Sequence, residues 1–278
     1  MSTPAVVLAL VLLMTGVGTS VLVWTVPTFG RVRRGFELLA GGTAVLLLLG
    51  GWAALRGPVD RVLVDDPASA VAPVGTLATA AIGLGVVALV MRLLRTPALV
   101  ARIAGLLSAG AGLALLVPLA GLRAERGGAG GLGQGLVELL LGAALLGSIW
   151  FGMLLGHWYL VERRLSNRPM VTTAWLNVVA LGAGLASVLL SARNPAPCAA
   201  LSGADFEQCA LLFAPVLRIG SMTIVLGLGV LSLLALIAGF NVRLAREGGR
   251  SIQAATGMFY LAVILAPAVE FAAKVRFF

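Results

Sequence analysis

An all-α, polytopic transmembrane bundle of about eight helices, arranged as four hairpins, is the fold this sequence predicts. Three observations lead there. The chain of 278 residues is 60% hydrophobic. Its mean hydropathy is +1.05. Only 11% of its residues are charged, against about a quarter in soluble domains. A soluble fold of this size would lack the polar surface to face water, whereas lipid removes that need.

Eight apolar segments follow in order: Ala5–Val26, Leu38–Leu55, Val74–Leu94, Ile103–Leu122, Leu136–Val161, Val171–Ala192, Pro215–Phe240 and Ile252–Ala273. Each is near the roughly 20 residues that cross a bilayer. Helices are expected because every backbone amide must be paired within the segment in lipid. The first segment has no basic residue before it and no small-residue cleavage site after it, so it reads as a mature helix.

The connecting loops alternate in charge. One side carries Arg31, Arg33, Arg34, Arg92, Arg95, Arg102, Arg163, Arg164, Arg168, Arg243, Arg246 and Arg250. The other carries Arg56, Arg61, Arg123, Arg126, Arg193, Lys274 and Arg276. The positive-inside rule makes the richer side cytoplasmic in a cell (inner) membrane and puts both termini outside. Cys198 and Cys209 then share an outer loop, which suits a disulfide. The alternative is two unpaired thiols near a helix end. The glycine-rich stretch Gly127–Gly135 reads as a flexible outer loop joining halves 1–126 and 136–278. The whole is one integral membrane domain, in which an even helix count would permit a parallel repeat.

Chemistry is sparse. His157 is the only histidine and sits in Gly156-His157-Trp158-Tyr159, about one turn from the arginine-rich boundary. Helical spacing puts Trp150, Met153 and His157 on one face and Ser148, Gly152 and Gly156 on another, where a second helix can approach closely. His157 there is a ligand or proton carrier, or it marks a helix exit with Trp158 and Tyr159 in the interfacial belt. Glu37, Asn177 and Asn241 lie towards the same side and would join His157 only if their helices converge. On the other side Glu138, Arg218 and Glu270 form a second set. Arg218 with Glu138 or Glu270 would line an outward cavity, whereas Glu270 with Lys274 would be an exposed i,i+4 pair.

Several functions are excluded within the chain. A single histidine rules out bis-histidine haem and multi-histidine metal centres, and no metal site is expected. No haem-attachment, phosphate-loop or hydrolase motif occurs. The charges are short clusters between apolar runs, so nucleic acid is not an expected partner. The expected partners are the lipid bilayer and either subunits of a membrane complex or a second copy. Three roles stay open. The leading one is a small-solute or lipid permease with its ligand between helices. Next is a redox subunit holding haem or quinone near His157. The third is a structural or assembly subunit. An enzyme is not the favoured reading.

Overall fold

Residues 4–25, 33–125, 130–162, 165–194, 202–212 and 220–277 are described by the computed structural model. Among them there is no strand. The helices are α1 (Pro4–Thr25), α2 (Arg34–Asp65), α3 (Val74–Leu93), α4 (Ala98–Glu125), α5 (Gly131–Val161), α6 (Arg168–Ser191), α7 (Gly203–Leu212), α8 (Gly220–Glu247) and α9 (Ser251–Lys274). All but α7 are long and apolar enough to cross a membrane. The chain is therefore a multi-pass membrane protein surrounded by lipid.

The observed helices differ from the expected segments where polar sequence continues a helix. α2 runs on to Asp65, through Pro58. An i,i+4 pair of Arg56 with Asp60 at 3.7 Å lies along this extension, and Arg61 donates to the Gly57 carbonyl at 3.3 Å. A helix leaving lipid for water keeps its backbone bonds, so hydropathy alone marks its end too early. α5 starts at Gly131, inside the stretch read as a loop. The short α7 was not foreseen, because its sequence Gly203–Leu212 is too brief and polar for a span. Arg31, Arg126, Arg163, Arg164, Cys198 and Arg218 lie outside the described residues.

α1 and α5 form the centre of the bundle and are its most buried helices. They cross at glycine. A side chain on Gly18 would overlap the Ala143 carbonyl, and one on Gly147 would overlap the Gly18 backbone. This is backbone-to-backbone packing that small residues permit in lipid.

The packing order is the same in two groups of four. α1 packs on α2, α2 on α3, α3 on α4 and α4 back on α1. Likewise α5 packs on α6, α6 on α8, α8 on α9 and α9 back on α5. The groups meet through α1 with α5, α4 with α5, α1 with α9 and α2 with α5.

Loop contacts fix the two ends. At the arginine-rich end Arg34 donates to the Leu93 carbonyl at 2.6 Å, Arg33 pairs with Glu162 at 2.6 Å, and Arg102 donates to the Trp24 carbonyl at 3.1 Å. At the opposite end Glu125 accepts from Ser69 at 2.9 Å and from the Ala70 amide at 2.8 Å.

Candidate functional site

Polar side chains inside the bundle are concentrated in the second group of helices. α6 carries the key pattern. Thr173, Asn177, Ala180, Gly184, Ser187 and Ser191 are all buried and recur at three- and four-residue steps. That spacing keeps them on one face, and Asn194, also buried, follows just past the helix end. The result is a line of small and polar groups along the whole length of α6, facing its neighbours rather than lipid.

At the end opposite the arginine-rich loops, this line meets a buried charged network. Arg123 of α4 pairs with Glu138 of α5 at 3.3 Å, and its guanidinium also donates to the Asn194 side-chain oxygen. Asn194 returns its amide to both Glu138 oxygens at 3.3 Å each. Gln134, one turn before Glu138, donates to it at 2.9 Å and to the Leu190 carbonyl at 3.1 Å. The Phe277 ring lies 5.2 Å from the Arg123 guanidinium, a cation–π contact. Arg276 donates to the Asn194 carbonyl at 2.5 Å, and burial lowers its guanidinium from its ordinary value.

A second knot lies one turn deeper. Lys274 pairs with Glu270 at 3.2 Å and donates to Ser187 at 2.9 Å, while Ser187 donates to Glu270 at 3.2 Å. Glu270 and Lys274 are both 0% exposed. The i,i+4 pair expected on the surface is thus inside the protein. Glu270 Oε2 presses on α5, where a side chain at Gly142 would come within 2.6 Å of it. Its other oxygen, Oε1, is buried without a hydrogen-bond partner among the described residues. Ionised groups away from water are costly unless paired, so this cluster, like the Arg123–Glu138 pair, is expensive to bury.

Midway along α6 the line closes. A side chain on Gly184 would meet Leu145 at 2.7 Å and Leu231 at 3.2 Å, so two leucines fill the groove that this glycine leaves. Beyond this apolar plug the line turns polar again. Asn177 of α6 and Asn241 of α8 are both buried and line one small cavity of about 10 Å³ with Ile149 and Phe259. The side-chain oxygens of both asparagines lack partners among the described residues. A volume of about one water probe with polar groups on two sides is what a single buried water requires.

The sequence-predicted residues are placed as follows. Glu138 and Glu270 belong to the charged end, but their cations are Arg123 and Lys274. Asn177 and Asn241 do meet. Glu37 and His157 do not join them. Glu37 forms an ion pair with Arg92 at the arginine-rich end of the first group. His157 is exposed, with its Nδ1 3.0 Å from the Tyr260 hydroxyl. Trp150 and Met153 on the same face are half-buried against the core, so only the His157 end of that face reaches the outside. The small face does what its spacing implies: Gly152 receives the Phe259 ring, and a side chain on Gly156 would come within 2.7 Å of Thr256. Trp158 packs over Gly35 and beside Phe36, 6.4 Å between ring centres. The Tyr159 hydroxyl donates to the Ser166 carbonyl at 2.5 Å. Cys209 sits among Val7 and Val275, and no described cysteine is free.

Arg123, Gln134, Ser187 and Asn194 were not singled out from sequence. The three- and four-residue recurrence of polar residues on α6 was the available signal.

A separate apolar groove of about 280 Å³ runs between α1, α4, α5 and α6, lined by Gly18, Leu113, Ala144, Ser148, Val179 and Ala183 among others. Among the described residues no group of three or more metal-ligating side chains occurs. Compared with known protein families, curated proteins and solved structures, the chain matches none.

Proposed function

We propose that the protein is a permease for a small polar or charged solute, and that its path runs inside the second group of helices, along α6. One observation carries the reading. α6 presents polar and small groups from Thr173 to Ser191 towards α5, α8 and α9, interrupted only at Gly184 by Leu145 and Leu231. Intramembrane polar groups are costly and mark solute or proton pathways by default. The charged cluster of Arg123, Glu138, Glu270 and Lys274 closes one end of this path in the conformation described, and the Asn177–Asn241 cavity is its other polar segment. By the positive-inside rule the arginine-rich end is cytoplasmic, so the charged closure faces outward and both termini are outside. The matching packing order supports a parallel duplication of a four-helix unit, related by an axis along the membrane normal. On this orientation Cys198 and Cys209 are joined in an outer loop.

The test removes the plug. Purified protein is reconstituted into liposomes that hold a pH-sensitive dye, and a pH gradient is applied. The double variant Leu145→Ala plus Leu231→Ala is expected to dissipate the gradient much faster than wild type at equal reconstitution. A matched pair in the first group, Leu13→Ala plus Leu48→Ala, is expected to leave vesicles tight. These residues fill glycine gaps in the same manner, over Gly51 and Gly16 respectively. Equal tightness of the plug variant and wild type would remove the path.

A second reading, transport of a lipid, is favoured by the apolar groove, whose Val179 is 71% exposed. Ala144→Phe would obstruct that groove without touching the α6 line. A transport activity that survives the plug variants but is lost in Ala144→Phe would favour it.

A further inference from the structure

We propose that a cavity at the arginine-rich end of the first helix group binds the phosphate of an anionic phospholipid. The cavity holds about 220 Å³ and is lined by Trp24, Glu37, Arg92, Ala98, Leu99 and Arg102. It lies where α1 ends, α2 and α4 begin and α3 ends. This inference is independent of the proposed path, which lies in the other group.

The charges in the cavity do not cancel. Glu37 is paired with Arg92. Arg102 is held only through its Nε, which donates to the Trp24 carbonyl at 3.1 Å. Its terminal nitrogens have no partner among the described residues. Two guanidiniums against one carboxylate leave one positive charge facing the cavity. The first turn of α4 adds to it. The Val100 and Ala101 amides are taken by the Pro97 carbonyl, at 3.1 and 3.4 Å. The amides of residues 98 and 99 have no backbone partner among the described residues and point towards the loop end, as unpaired amides of a first helical turn do. A guanidinium fork beside such amides is a geometry suited to phosphate oxygens.

The surroundings select a lipid over a free anion. Leu99, which lines the cavity, begins an exposed apolar stripe on α4 that continues through Ile103, Leu106 and Leu107. An acyl chain lying along this stripe leaves its phosphate beside Arg102, with Trp24 at interfacial depth. The corresponding corner of the second group has a cavity of about 370 Å³, lined by Tyr159, Asn167, Arg250 and Gln253 among others. It too carries one positive charge, on Arg250, but the first-turn amides of Ser251, Ile252 and Gln253 are taken by the Gly248, Gly249 and Arg250 carbonyls, so it serves as the comparison with the charge and without the free amides.

The experiment is native mass spectrometry of protein released from nanodiscs of mixed phosphatidylglycerol and phosphatidylcholine, on wild type, Arg102→Gln, Arg102→Lys and Arg250→Gln. Phosphatidylglycerol should be retained preferentially by wild type and by Arg250→Gln. Arg102→Gln should lose about fivefold of that preference, the equivalent of about 1 kcal/mol for one basic side chain at the membrane surface, and Arg102→Lys should recover most of it. The lysine variant also separates loss of charge from loss of fold. Equal retention of the two lipids by wild type, or unchanged preference in Arg102→Gln, would overturn the proposal. So would millimolar inorganic phosphate raising the melting temperature of the detergent-solubilised protein through Arg102 while phosphatidylglycerol does not, since the cavity would then serve a soluble anion.

Discussion

The two groups of four helices share a packing order but not a core. On α2 the buried face reads Phe36, Glu37, Ala40, Gly41, Ala44, Leu48, Gly51, Leu55 and Val59, apolar but for Glu37 at its start. On α6, its counterpart in packing order, the buried face reads Thr173, Asn177, Gly184, Ser187 and Ser191 among its apolar neighbours. Of polar groups, the first group buries mainly isolated hydroxyls, Thr15, Thr19, Ser20 and Ser108, whereas the second buries the amides of Asn177 and Asn241 and the Glu270–Lys274 ion pair. Hydrocarbon with isolated hydroxyls such as Thr15 and Ser108 suffices to build most of such a group in lipid, as the first shows. The polar line in the second is then an added expense that packing does not require, which is the physical reason to assign it a role.

The largest expected effect separates stability from function at the charged end. Arg123→Ala would strand Glu138 at 0% exposure and is expected to destabilise the protein by about 3–5 kcal/mol, the usual cost of breaking a buried pair from one side. The paired replacement Arg123→Met plus Glu138→Leu should restore part of that stability, since the buried Asn194 amide then loses its Arg123 and Glu138 partners, while abolishing transport. Thermal unfolding in detergent together with the liposome assay checks both. Transport retained by a stable apolar pair would reduce the network to a structural clamp.

The junction between the groups should respond less. Gly18→Ala drives a methyl into the Ala143 carbonyl, and overpacking of this kind costs about 1–3 kcal/mol. Because Gly18 touches the α1–α5 crossing and the apolar groove but not the α6 line, the loss should appear in unfolding and not in the selectivity of transport along that line. A shift in selectivity would mean that the two groups are not independent in function.

A smaller effect is expected at the asparagines. Asn177→Leu removes one of two facing buried amides and leaves Asn241 to water alone, for a cost of about 1–3 kcal/mol at most if that group loses its partner. The double variant Asn177→Leu plus Asn241→Leu should be more stable than either single one, because no polar group is left orphaned. A strictly additive double variant would show that the two do not share a water. Smallest of all, Gly110→Ala on the lipid face of α4 meets no atom within 4 Å and should change stability by no more than about 0.5 kcal/mol.

The fold was open to reading because lipid imposes a strong and local rule. A run of about 20 apolar residues must be a helix, and eight such runs were found where eight spanning helices stand. What lipid does not constrain was missed: the polar extension of α2 after Leu55, the helical start of α5 at Gly131, and α7. The site was half legible. Glu138, Glu270, Asn177 and Asn241 stood out as polar groups in or near apolar runs. Arg123 and Lys274 were read as loop charges because they fall at segment ends, where burial depends on which helix arrives from elsewhere in the chain. Glu37 and His157 were grouped with the asparagines by depth alone, and depth does not give the angle around the helix axis. Ser187 and Ser191 are too weakly polar to stand out singly, and only their register with Asn177 reveals them.

Accessibility to a small, charged, membrane-impermeant thiol reagent compares the two cores most directly. Ser187→Cys, Ser191→Cys and Asn177→Cys are placed along the α6 line, with Ala44→Cys and Leu48→Cys at buried positions of α2, each in reconstituted protein and corrected for the wild-type background. If the second group encloses a solute path, the α6 positions react as the protein cycles between conformations. Ser191 and Ser187 should be reached from the outer face and Asn177 from the arginine-rich face, while the α2 positions stay silent. Equal reactivity of the two sets, or none in either, would contradict a path confined to the second group.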